Sequence, residues 1–406
     1  MSLGASYRRL LSASAISNLG DGVSLIAYPW LASAVTRNPI LIAGVVVAQR
    51  LPWLVFTLPA GVIVDRHDRR RIMVAANFSR AVVTAFVALA VVWRGQELPG
   101  PDELDTVVGT EPVLYLCVVV ATLLLGVGEV LYDNSAQTFL PRIVGAGDLE
   151  QANGRLYSAE LVANQFGGPP LASLLLAVGF ALPFFLDAAT FAASAALILA
   201  IAATPSTTTP RDRQPWRTEL VEGFRWLWHH DLLRTMAIVL GLLNALGAMT
   251  IAVEVLFAQE VLHTSTTEFA ALTMAAALGG VFGGWTASSI SARIGSGPSL
   301  WLTLGGGGAC TLIIGASSAW PLVAVLFAFT ALLAVLWNVI TVSLRQTIIP
   351  DRLLGRVNSV YRFFGWGMMP IGAVVGGLVV TVTDAFASRE VALRAPWVSV
   401  RPVSLR

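Results

Sequence analysis

Residues 61–73 read GVIVDRHDRRRIM, from Gly61 to Met73, and this stretch decides how the chain is organised. Gly61 through Val64 end one long apolar run, and Ile72 opens the next. Between them stand only Asp65, Arg66, His67, Asp68, Arg69, Arg70 and Arg71, a dense charged hairpin. Four arginines in so short a loop stay on the cytoplasmic side, because the Lys/Arg bias of short loops sets membrane orientation.

Composition points the same way. Of 406 residues, 56% are hydrophobic and only 12% are charged, whereas a soluble domain carries about 25% charged residues. The chain lacks the polar surface that water demands, so it is an integral membrane protein. Its net charge of +2 says little, because in membranes the distribution of charge matters more than its sum. Every basic residue is Arg; with no Lys, a phosphate-binding loop ending in Gly-Lys-Ser/Thr is excluded. Cys117 and Cys310 lie far apart inside apolar runs and indicate neither a disulfide framework nor a metal site. The first apolar run is too long for a cleavable signal peptide and leads directly into the second.

A crossing helix needs about 20 mostly apolar residues. Eleven stretches qualify: 10–35, 39–64, 72–94, 113–138, 152–178, 181–203, 234–259, 268–291, 299–317, 320–344 and 356–383. With the N-terminus inside, the cytoplasmic segments collect Arg8, Arg9, the hairpin, Arg142, Arg155, the cluster from Arg211 to Arg234, Arg293, Arg345, Arg352 and Arg356. The outside loops before the last run hold only Arg37 and Arg94, an asymmetry that orients the chain. Residues 204–233, rich in Pro, Thr and Arg and ending in an amphipathic stretch from Trp216 to His230, read as a cytoplasmic linker between bundles 1–203 and 234–383. His229 and His230 read there as solvated linker residues. The two halves repeat each other. Gln137-Thr138-Phe139-Leu140-Pro141 returns as Gln346-Thr347-Ile348-Ile349-Pro350, Gly154-Arg155-Leu156-Tyr157-Ser158 as Gly355-Arg356-Val357-Asn358-Ser359, and Pro169 as Pro370. Parallel six-span repeats are a known transporter architecture. Residues 384–406 are charged and hold no long apolar run, so the twelfth span of such a repeat is expected to be missing or truncated, with Ala392–Val398 as its start.

The hairpin pattern Gly61-x-x-x-Asp65-Arg66-x-x-Arg69-Arg70 resembles the loop between the second and third helices of the major facilitator superfamily. Asp68, where many members carry Gly, and the span-one stretch Ser17-Asn18-Leu19-Gly20-Asp21-Gly22 are similar to the drug, macrolide and siderophore exporters of that superfamily. Gly168-Pro169 resembles part of its antiporter motif, with Ala172 and Ser173 where glycines are expected. The resemblance implies an all-α integral membrane protein with the major facilitator fold of two six-helix bundles, here with about eleven spans. It also implies a gate in which Gly61, Asp65, Arg66, Arg69 and Arg70 clamp the cytoplasmic side and Asp133 in span four meets the hairpin arginines.

Ionisable side chains inside a membrane are expensive, about +2.5 to +3.5 kcal/mol at a helix centre on insertion scales, so each is a functional candidate. Asp21 and Arg50 reach similar depths in antiparallel spans and are expected to pair. Arg80, Glu129 and Glu160 fall about two turns from the cytoplasmic side and form a candidate buried network. Glu129 and Asp133, four apart, share a helix face. Asp21, Glu129 and Glu160 are the candidate proton carriers, with Arg50 and Arg80 as buried charge partners; the alternative for Asp21 is a permanent neutral ion pair. Asn164, Gln165, Asn244, Asn338, Trp337 and Arg362 are candidates for a substrate cavity, with Trp30, Phe363 and Trp366 as further aromatics. Aromatic and apolar walls with few polar groups suit bulky amphipathic ligands.

The expected function is proton-coupled efflux of a drug-like, macrolide or siderophore-type small molecule by alternating access. The alternatives are an uptake permease for a small metabolite, or a non-transporting receptor or defective truncated product. The expected partners are that small molecule, protons and the lipid bilayer, with no enzyme activity, cofactor, metal or nucleic acid. A monomer in the inner (plasma) membrane with its N-terminus in the cytoplasm is expected.

Overall fold

The computed structural model describes residues 4–94, 98–100, 104, 107, 109–145, 148–202 and 216–398, and these are helical apart from short connections and one isolated bridge between Thr36 and Thr110. In chain order the helices are α1 (Gly4–Val35), α2 (Pro39–Val55), α3 (Thr57–Arg66), α4 (Arg69–Arg94), α5 (Pro112–Ile143) and α6 (Leu149–Leu161). A π-helical segment (Val162–Gly167) leads into α7 (Gly168–Val178), α8 (Ala181–Leu199) and α9 (Trp216–His229). There follow α10 (Asp231–Ile251), α11 (Glu254–Glu260), α12 (Thr266–Ile294), α13 (Ser296–Ala316), α14 (Trp320–Ile348), α15 (Asp351–Asp384) and α16 (Arg389–Val398). Most of the acidic loop after Arg94, the linker from 203 to 215 and the tail from 399 lie outside the described residues.

Local chemistry explains where the helices start. Asn38 accepts a hydrogen bond from the Ile40 backbone N–H at 3.0 Å, with Pro39 in the first turn of α2, and Glu111 with Pro112 does the same for α5. Asn at the cap and Pro in the first turn are preferred at such positions. In the hairpin, Asp68 accepts from the N–H groups of Arg70 at 2.9 Å and Arg71 at 3.3 Å, so it caps α4. His230, expected to be merely solvated, accepts from the Leu233 N–H at the start of α10.

Among the described residues, ten helical segments are long and apolar enough to cross a membrane, and α2 is a shorter apolar helix. That shorter helix is the first part of the second expected span. Pro59 has no N–H for the Val55 carbonyl four residues back, and the helix breaks at Phe56 into α2 and α3. The eleven apolar stretches therefore all find helices, the second split into α2 and α3 and the seventh, 234–259, into α10 and α11.

The chain divides into two units, Met1–Thr208 with Thr264–Ala271, and Thr209–His263 with Leu272–Arg406. In the first, α4 packs against α8 and α5, α1 lies against α8 and α7, and α2 against α5. At one end Tyr7, Leu10, Met73, Phe139 and Ile198 form an apolar plug. There Arg70 donates to the Ile198 carbonyl at 3.2 Å and to that of Leu199, and Arg9 donates to the Ala200 carbonyl. Two arginines thus satisfy the open carbonyls at the C-terminus of α8.

In the second unit α10 and α15 form the main pair. A Cβ at Gly372 would sit 2.0 Å from the Ala245 carbonyl oxygen; only a glycine permits this backbone approach, the usual mode of helix packing in lipid. Helix α9 lies on α15 and α10. The ten-residue α16 is about 15 Å long, half a crossing. It is nonetheless built in: Trp397 packs on Phe257 and Phe327 at 5.1 and 6.0 Å, and Arg394 donates to the carbonyls of Gly315 and Ser317, both at 2.7 Å.

Candidate functional site

Helices of the first unit line a cavity of about 770 Å³. They line the space with stripes at helical spacing, since residues three and four apart share a face. Helix α1 contributes Ser14, Ser17, Asp21, Ser24 and Tyr28, and α2 contributes Gln49 and Arg50. Arg80 comes from α4; Glu129, Asp133 and Gln137 come from α5, each four after the last. Tyr157 and Glu160 of α6 continue into Asn164 of the π segment, and α8 adds Asp187 and Phe191.

Arg80 is the centre of this arrangement. Only 4% exposed, it pairs with Asp21 at 2.5 Å, and its guanidinium lies 3.9 Å over the ring of Phe191. The expected pairing of Asp21 with Arg50 is therefore corrected: antiparallel depth allowed it, but the packing of α1 and α4 against α8 puts Arg80 at Asp21. Arg50 lines the cavity without an ion pair among the described residues. The carboxylates of Asp21, Glu129, Asp187 and Asp133 all act electrostatically on Arg80, which makes the expected Arg80–Glu129 neighbourhood part of a larger one.

Asp187 is the member of the site that the sequence reading misses. It lies in the α8 run, 1% exposed, and accepts hydrogen bonds from Ser24 at 2.7 Å and, at the limit of distance, from Thr190 at 3.4 Å. The rule that every intramembrane carboxylate is a candidate singles it out within Leu186-Asp187-Ala188, although the surrounding run reads as continuous core. Gly20 makes its contact with α1 possible, since a Cβ there would lie 2.3 Å from an Asp187 carboxylate oxygen and 2.1 Å from the Thr190 hydroxyl.

The wall at Asn164 depends on Pro169 and Pro170. Without their N–H groups the carbonyls of Gln165 and Phe166 lose α-helical donors. The chain takes a wider turn, in which the Gly168 N–H bonds the Ala163 carbonyl five residues back; such π segments recur at functional sites. Gln165 donates to Asn164 at 2.9 Å and reaches the cavity only through it.

The gate candidates divide. Arg70 is bonded to α8, and Asp133 stands on the cavity wall beside Glu129. Arg66 ends α3, Arg69 begins α4, and a Cβ on Gly61 would meet nothing within 4 Å. The side chains of Asp65 and Arg362 lie outside the described residues. In the second unit, Asn244 donates to the Gly365 carbonyl at 2.9 Å and so ties α10 to α15. Trp337 is buried with an indole N–H that has no hydrogen-bond partner among the described residues, and Asn338, Phe363 and Trp366 are exposed.

A many-spanning helical protein with a charged cavity inside one helix bundle has the anatomy of a membrane transporter. The chain belongs to the Major Facilitator Superfamily, whose family model matches residues 10–374. It is 27% identical over 386 residues to the multidrug efflux pump Tap of Mycolicibacterium fortuitum, covering 91% of this chain and 87% of that one. With the enterobactin exporter EntS of Citrobacter koseri it shares 25% identity over 385 residues, 93% of this chain and 86% of the exporter. A bacterial homologue of the iron transporter ferroportin in an inward-facing state has the same fold, with a TM-score of 0.70 at 17% identity and 98% of both chains covered. The chain is thus a multi-pass transporter with efflux pumps among its relatives, and it moves a solute rather than transforming one.

Proposed function

We propose that this chain exports a drug-like, macrolide or siderophore-type small molecule in exchange for protons across the inner membrane. The observation that carries the reading is the charge of the cavity. Asp21, Glu129, Asp133, Glu160 and Asp187 face only Arg50 and Arg80. Carboxylates in surplus repel one another in a poorly solvated site, and a bound proton relieves that repulsion. Asp21, Glu129 and Glu160 are the proposed proton carriers, with Arg80 and Arg50 setting the local charge. One proton moving down a 100 mV potential supplies about 2.3 kcal/mol, so export needs no nucleotide. The efflux relatives support the outward direction.

The test uses inverted membrane vesicles with an imposed inside-acid gradient. Erythromycin, tetracycline and a catecholate siderophore are the probes. Gradient-dependent accumulation of at least one, abolished by a protonophore, is the expected result. Accumulation in right-side-out vesicles instead would assign uptake.

A further inference from the structure

Asp187 is a buried acid held by neutral groups. Its hydrogen-bond donors are the hydroxyls of Ser24 and Thr190, and no cation stands within ion-pair distance of it among the described residues. The neighbouring guanidinium, Arg80, is already engaged by Asp21 at 2.5 Å and stacked on Phe191. Helix by helix, the charged and titratable groups facing Asp187 are Asp21 and Tyr28 from α1 and Arg80 from α4. Helix α7, GPPLASLLLAV, brings none. Asp187 thus stands in the field of a guanidinium whose ion pair is made with Asp21.

The same face of α1 reads both acids. Ser24 follows Asp21 by three residues, so one helix presents Asp21 to Arg80 and Ser24 to Asp187. Gly20 seats α1 directly on α8 beside both contacts.

We propose that Asp187 is a proton-binding residue of the transport cycle, set beside the Arg80–Asp21 pair and reporting its occupancy to α1 through Ser24. This rests on the proton-coupled reading above. The proton comes from water in the cavity and forms an O–H bond on the Asp187 carboxylate; release returns it to that water, with no other bond made or broken. Protonated, Asp187 donates to the Ser24 hydroxyl, and Arg80 belongs to Asp21 alone. Deprotonated, Asp187 accepts from Ser24 and competes for Arg80, loosening the hold of Asp21 on α4.

Infrared difference spectroscopy of the purified full-length protein between acid and alkaline pH tests this without a transported ligand. The wild type should show the carbonyl stretch of a protonated, water-excluded carboxylic acid, and Asp187→Asn should lose that band. Asp21→Asn, which frees Arg80, should keep the band and move its midpoint by about 1–3 pH units. Ser24→Ala and Asp187→Glu, which preserve the packing or the acid, should also move the midpoint. A band unchanged in Asp187→Asn, or a midpoint unmoved in both Ser24→Ala and Asp187→Glu, overturns the assignment. The vesicle assay separates the two readings. Gradient-driven accumulation that survives Asp187→Asn refutes Asp187 while leaving proton-coupled export standing. Absence of gradient-driven flux in the wild type removes the export reading, and the infrared band alone then decides whether Asp187 binds a proton.

Discussion

Arg50 and Arg80 are both arginines inside apolar helices, and the fold treats them oppositely. Arg80 is buried against Phe191 and bonded to Asp21, while Arg50 faces the cavity unpaired among the described residues. Removing one partner of a buried pair leaves an uncompensated charge, at a cost of about 3–5 kcal/mol. Arg80→Leu is therefore expected to lower the stability of the detergent-solubilised protein by that order, and Asp21→Asn combined with Arg80→Leu to recover most of it. Arg50→Leu should change stability by no more than about 0.5 kcal/mol. Unfolding curves of the three variants decide; equal losses in Arg50→Leu and Arg80→Leu would contradict the observed pairing. At this scale the sequence shows which side chains are costly to bury, but not their partners. Depth along a helix can be counted, whereas the rotation of one helix against another is set by packing.

At the scale of the element, the fifth span shows how much one local feature controls. Its two prolines are legible as a kink. Their actual effect is the π segment that directs Asn164 and, one turn earlier, Glu160 onto the cavity wall. Pro169→Ala with Pro170→Ala restores the missing donors and favours a continuous α-helix. That change turns the upstream residues by about 100° relative to α7. Transport is expected to fall roughly tenfold, the equivalent of about 1.4 kcal/mol of misplaced contact, with expression and thermal stability maintained or improved. Unaltered flux in the double variant would mean that the π geometry is incidental. The hairpin is a second case. The arginine count is clear from the sequence and the Asp68 cap of α4 is local, but the role of Arg70 as the cap of α8 depends on which helix end lies nearby.

For the whole molecule, the arginine asymmetry predicts an orientation. In a variant lacking Cys117 and Cys310, His67→Cys should be protected from a membrane-impermeant maleimide in intact cells, and Gly100→Cys should react. The reverse pattern would invert the topology. The resemblance of the hairpin to a conformational clamp predicts, separately, that Asp65→Asn and Arg66→Ala each slow transport several-fold while inserting normally. Vesicle flux normalised to protein content measures this, and normal turnover in both variants would remove the gate.

What the sequence determined by itself was the membrane environment, the eleven apolar stretches, the prolines that interrupt them and the repeat between halves. These follow from hydropathy, chain length and the missing N–H of proline, which are local properties. Asp21, Arg80, Glu129, Asp133, Glu160 and Asn164 were also legible as candidates, because polar groups stand out against apolar runs. Only the tertiary structure decided that they share one cavity, that Asp21 belongs to Arg80, that Asp187 joins them, and that Asn244 is spent on holding α10 to α15. Each of those outcomes depends on how a helix is rotated about its axis against its neighbours. That rotation is fixed by close contacts such as Gly20 on Thr190 and Gly372 on Ala245, made between residues far apart in the chain.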